Sequence, residues 1–164
     1  MKSIEKIVKE ELEDLLEIKQ PLMNYLKQKL PNTPEHVVKD MIYPSLKDAN
    51  REEMNELIND FSKFRWELKR NFPINYNIFS DDTIRRMKER KGGSKNPYGV
   101  PRDEERHETQ KNLILKRGMP QEPIIMFYDN GKYELWEGWH RTMQLLQIYP
   151  QGYVYPNVYV GYNQ

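Results

Sequence analysis

The sequence predicts an α+β protein, with a helical region over residues 1–70 followed by a compact unit of strands and helices over residues 71–164. Three observations carry this. Up to about residue 70, apolar residues recur at three- and four-residue spacing, the period of a helix that buries one face. Beyond residue 120 the pattern changes to short apolar runs and alternation, which suit strands. Between two of those runs stands Asn130-Gly131, the strongest short-range signal for a hairpin.

The elements follow in order. From Ser3 to about Gln20, Ile4, Ile7, Val8, Leu12, Leu15 and Leu16 fall on one helical stripe. Pro21 ends or kinks that helix, and Leu22, Met23, Leu26 and Leu30 mark a second piece. Thr33-Pro34-Glu35 reads as a helix start, with Thr33 as N-cap and Pro34 at the first helical position. Asn50-Arg51-Glu52-Glu53 opens another helix, whose apolar side is Met54, Leu57, Ile58, Phe61 and Phe64. Residues 1–70 hold no catalytic constellation. Phe72 to Phe79 alternates imperfectly and reads as a short strand or an extended link.

Ser80-Asp81-Asp82 caps a brief helix containing Ile84 and Met87, and Lys91 to Gly99 is a Gly-, Ser-, Asn- and Pro-rich loop. Asp103 is placed to cap a helix over Glu104 to Lys116, which Gly118 terminates. Pro123 to Tyr128 is a buried-strand run, and Tyr133 to Trp136 returns from the hairpin. Trp139 to Ile148 is helical and is stopped by Pro150. Tyr153 to Tyr162 alternates as a last strand, where Pro156 favours a sheet edge.

Composition bounds the function. Apolar residues make up 37% and charged residues 31% of 164 residues, and the mean hydropathy is −0.95. Those values approach a disordered chain, but 11 Tyr, 5 Phe and 3 Trp supply the large rings of a thin folded core. A net charge of +1 argues against strong indiscriminate nucleic-acid binding and leaves room for a local basic patch. The absence of cysteine excludes disulfides, Cys-ligated zinc and thiol catalysis. No segment has the roughly 20 apolar residues of a membrane span, so a cytoplasmic protein without a membrane partner is expected.

The most informative stretch is Glu137-Gly138-Trp139-His140-Arg141, where a strand turns into a helix. A reversal this short needs a permissive backbone at Gly138. The first-turn N–H groups and the helix dipole then favour an anion. Cations at a helix N-terminus oppose that dipole unless an anion sits there, so His140 and Arg141 point to a bound phosphate. A guanidinium can hold phosphate through two parallel hydrogen bonds, and an imidazole can donate or move a proton. The plain alternative is a turn glycine, a surface histidine and an Arg141 paired with Glu134 or Glu137. Glu137 reads as a salt-bridge partner, a positioning acid or a general base. Trp136 and Trp139 read as packing residues before base-stacking platforms.

This order of strand, Asn-Gly hairpin, Glu137-Gly138-Trp139-His140-Arg141 and helix resembles the core of the ParB/sulfiredoxin-like superfamily, over about Asp103 to Leu146. The resemblance implies a small mixed sheet with helices. It also implies phosphate or nucleotide contacts from Gly138, Trp139, His140 and Arg141. The preceding helix, with Arg106, His107, Thr109 and Gln110, is implied to face the same pocket. Sulfiredoxins carry a reactive cysteine where Trp139 stands, so sulfinic-acid reduction is excluded here. No arginine-rich box or helix-turn-helix of the partitioning proteins is present.

What the resemblance implies is a nucleotide-binding protein of the ParB-like nuclease type found in phages and plasmids, with ATP or CTP as nucleotide and Mg2+ as a companion ion. Nuclease or nucleotide hydrolase chemistry would then rest on Glu137, His140 and Arg141. A non-enzymatic interaction protein that keeps the fold and binds a protein partner through residues 1–70 is one alternative, and a small-metabolite kinase is another. Nucleic acid is a further partner, through the basic run Arg85 to Lys91 with Lys95 and Arg102, although a solvated helix end, where Lys and Arg suit the C-terminal dipole, is the favoured reading of that run. Asp81, Asp82 and Asp103 to Glu105 can hold magnesium, but all stand where helix starts favour acids. The tyrosines from Tyr149 to Tyr162 read as a half-exposed sheet surface.

Overall fold

The computed structural model describes Ile4, residues 20–90 and residues 112–164, and the chain divides into two compact units, Met1–Phe64 and Arg65–Gln164. Helices and one four-stranded mixed sheet make it an α+β protein.

Among the described residues the first unit is helical up to Ser62. Residues 20–29 form α1. The stretch α2 has α geometry over Glu35–Val37, a π turn over Val38–Ile42 and α geometry again over Tyr43–Leu46. Pro44 has no N–H for the carbonyl four residues back and its ring crowds that carbonyl, and the wider π turn lies just ahead of it. Pro34, with φ −56° and ψ 141°, occupies the N-cap position itself, so this helix starts one residue later than Thr33 as N-cap implies. Helix α3, Arg51–Ser62, is closed at its start by a capping box. The Glu53 N–H donates to Asn50 Oδ1 at 2.9 Å and the Asn50 N–H donates to Glu53 Oε2 at 3.3 Å.

The helical reading of residues 1–70 is corrected at its end, because strand β1 covers Phe64–Ile74. Phe61 and Phe64 continue the helical spacing of α3, which hides the change of period. From Arg65 the chain alternates charged and apolar residues (Arg65, Glu67, Lys69 against Trp66, Leu68), the period of a strand. Glu67 pairs with both Arg65 and Lys69 along that face.

In the second unit β2 (Ile124–Asp129) pairs antiparallel with β3 (Lys132–Glu137) and parallel with β4 (Tyr153–Asn163), giving the order β1-β4-β2-β3. Asn130 at φ 49° and Gly131 at φ 83° both lie in the left-handed region, as the two-residue hairpin turn requires. Strand β4 is central, not at the edge that Pro156 suggested. The pairing with β2 runs from Val158 to Tyr162, so Pro156 precedes it and its missing N–H removes no bond of that ladder. Tyr153 and Tyr155 are buried, so only part of the tyrosine run is the half-exposed surface expected of it.

Helix α4, Asp81–Arg90, closes the outer edge of β3. The Ser80 N–H donates to the Tyr133 carbonyl at 2.9 Å, and the Leu135 N–H donates to the buried Thr83 hydroxyl oxygen at 3.3 Å. An edge strand exposes unpaired backbone groups, and these two bonds occupy a pair of them. Residues 112–117 form α5, ended by Gly118 at φ 82°. Helix α6, Trp139–Ile148, follows β3. The core joins Ile124, Met126, Leu135, Val158 and Val160 of the sheet to Met87, Leu145 and Leu146 of the helices. Thr83→Val keeps the shape but leaves the Leu135 N–H without its acceptor. A loss of about 1–3 kcal/mol in urea unfolding is expected, and unchanged stability would show that this bond does not hold α4 to the sheet.

Candidate functional site

The turn from β3 into α6 is built around Gly138. Its φ of 92° lies in the left-handed region, and a Cβ there would stand 2.4 Å from Ile124 Cγ2. Glycine is therefore required twice, by backbone conformation and by the close approach of β2. Helix α6 has no side-chain cap at its start and no acid in its first turn. The N-terminal partial positive charge of α6 thus gets no help from Asp or Glu of its own first turn.

Arg141 is folded back against this turn, with Nη2 3.2 Å from where a Gly138 Cβ would be. Nη1 donates to Glu122 Oε2 at 3.0 Å and Nη2 donates to the Pro123 carbonyl at 3.1 Å. Nε is buried and has no hydrogen-bond partner among the described residues. The Arg141 side chain is 19% exposed, against 77% for Glu122. The carboxylate that meets Arg141 thus comes from the segment before β2, not from Glu134 or Glu137 as the simple pairing had it. The same segment is held by Tyr155, whose hydroxyl donates to the Glu122 carbonyl at 2.6 Å. Burial raises the Tyr155 phenol above its usual range, while the Arg141 guanidinium beside it pulls the other way.

Arg141 and Glu122 belong to the wall of a cavity of about 360 Å³, with Arg117 of α5 and the Gly118–Gln121 segment. Two guanidinium groups and one exposed carboxylate therefore line a small cleft at the N-terminal side of α6. Arg117, Glu122 and Tyr155 were not singled out by sequence. The Arg141–Glu122 and Tyr155–Glu122 contacts span 19 and 33 residues, and no periodicity reports such pairs.

The other expected site residues are placed as follows. Glu137 is exposed at the end of β3, opposite Ile125 of β2. Trp139 is half-buried; its indole N–H donates to the Trp136 carbonyl at 3.2 Å and Arg86 lies 5.0 Å over its ring. His140 is half-buried in the first turn of α6. Arg106, His107, Thr109 and Gln110, the loop from Lys91 to Gly99, and Arg102 to Glu105 lie outside the described residues. Arg85 of the basic run pairs with Asp82 and Glu89, and Arg86 is taken up by Trp139, so both are engaged within the unit. Among the described residues no group of three or more His, Asp or Glu stands close enough to hold a metal ion. No helix among them is long and apolar enough to cross a membrane.

The chain matches no family model, no curated protein and no solved structure. Gly138→Ala is expected to destabilise the second unit by about 3 kcal/mol, combining left-handed strain with overpacking against Ile124. Urea denaturation measures it, and a loss below 1 kcal/mol would mean that β2 and α6 can move apart freely.

Proposed function

We propose that this protein binds a phosphate compound, a nucleotide such as ATP or CTP, with its phosphates at the start of α6 between Arg141 and Arg117. One observation carries the reading. A helix start without a cap or a first-turn acid, set by a left-handed glycine, adjoins a cleft walled by two arginines. Backbone N–H groups and guanidinium forks are the donors that recognise phosphate oxygens.

The residues fit such a ligand in charge and in donor type. Glu122 holds Arg141 at 3.0 Å with a largely solvated carboxylate, and exposed ion pairs are weak. An incoming phosphate exchanges with it at small cost and gains the helix N-terminus as well. Displaced, Glu122 is a carboxylate on the same wall for a divalent cation that accompanies the phosphates, since Mg2+ keeps most of its ligands as water and phosphate oxygen. Cleavage of the bound compound requires His140 or Glu137 to move a proton within reach of the phosphates, with Arg141 stabilising charge. Glu137 is the exposed last residue of β3, and His140 is half-buried in the first turn of α6.

A second reading is favoured by one feature. The Arg141 fork is already filled by Glu122 and Pro123, which is what a purely structural arginine in an interaction protein would do. Calorimetric titration of ATP, CTP and GTP, with and without Mg2+, separates the two. Arg117→Ala leaves the Arg141 contacts to Glu122 and Pro123 intact and is expected to weaken nucleotide binding about tenfold, the loss of one charge-assisted contact. In the titration without Mg2+, Glu122→Gln removes the competing charge and is expected to tighten binding several-fold. No binding by the wild-type protein, or affinities indifferent to both changes, would favour the structural reading.

A further inference from the structure

A second cavity of the second unit belongs to neither of these readings. It measures about 630 Å³, shares no lining residue with the Arg141 cleft, and lies between α4, the start of β3 and α6. Its floor is apolar: Phe79, Met87 and Met143 are buried there, and Ile84 is half-buried. The Tyr76 ring stands at the mouth, 43% exposed. Lys88 and Lys132 reach the rim with a single carboxylate, Asp81, and the amide of Gln147 completes it.

The rigid part of this cavity comes from bonds already described. Ser80 and Thr83 fix the start of α4 to the edge of β3, so the α4 wall cannot close onto α6 without breaking them. Lys132 donates from Nζ to the Asn77 carbonyl at 2.6 Å, which holds the ammonium at the rim with two N–H groups left. Among the described residues Lys88 forms no ion pair. The rim therefore carries two cations against one carboxylate, over a floor of one aromatic ring and two thioethers. Methionine sulfur favours contact with aromatic rings, and a volume of this size suits one small molecule.

We propose that this cavity is a second binding site, for an aromatic carboxylic acid whose ring lies on Phe79, Met87 and Met143 and whose carboxylate meets Lys88 and Lys132. The ring is the part that the buried floor excludes from water, and the carboxylate is the part that the surplus rim charge selects. Gln147 stands at the edge where a bulkier side chain would fill the opening.

Isothermal titration of the full chain with 2-naphthoate tests this, with 2-naphthylmethanol as the uncharged counterpart. The expected result is one naphthoate per chain, bound about tenfold more tightly than the alcohol. Lys88→Glu, an exposed change, is expected to remove that preference. Gln147→Trp, also exposed, is expected to abolish binding of both compounds while far-ultraviolet circular dichroism stays that of the parent. Arg117→Ala is expected to leave naphthoate binding unchanged, which separates this site from the phosphate cleft. Equal affinity for the acid and the alcohol, no binding of either, or naphthoate binding indifferent to Gln147→Trp would overturn the proposal.

Discussion

The second unit depends on how closely β2 can approach the turn between β3 and α6. Ile124 is fully buried and its Cγ2 occupies the space that any side chain at position 138 would need. That contact fixes where α6 starts, and with it the first-turn residues Trp139, His140 and Arg141. It also explains the left-handed backbone of Gly138, since a chain leaving β3 must reverse at once to bring α6 over the sheet. Leu145 and Leu146, both fully buried, then pack into the shared core. A shift at this one junction would therefore move the helix start and the core together.

The electrostatic consequence follows from the same placement. Arg141 is brought beside a helix start, where the dipole opposes its charge. Within the chain that opposition is offset by Glu122, by the Pro123 carbonyl and by the partly anchored segment under Tyr155. A strut of this kind gives the guanidinium a fixed position at little entropy cost on binding, because the side chain is already ordered. The partner carboxylate is mostly in water, so the pair contributes little energy of its own, and the proposed phosphate would displace Glu122 from it.

Local elements were legible in the sequence where one period or one turn signal acted alone. The Asn130-Gly131 hairpin, the Asn50 cap with Glu53 and the helix from Trp139 to Ile148 all follow from residues within a few positions of each other. The start of β1 was hidden because Phe64 satisfies both the helical spacing behind it and the alternation ahead of it. The central place of β4 was hidden because Pro156 speaks only for its own N–H, whereas pairing with β2 begins two residues later at Val158. At the site, Gly138 and Arg141 stood out through their spacing, but Glu122, Arg117 and Tyr155 join them through tertiary contacts that no local pattern encodes. The cavity floored by Met87 and Met143 is of the same kind: each methionine reads as one more apolar residue of its own helix.

The proposed anion site is tested most directly by a crystal structure of the protein soaked with CTP or ATP. The expected result is phosphate density within hydrogen-bond distance of the first-turn N–H groups of α6 and of the Arg117 guanidinium, with the Glu122 carboxylate turned away from Arg141. Density for the phosphates elsewhere on the chain, with Glu122 still on Arg141, would contradict it.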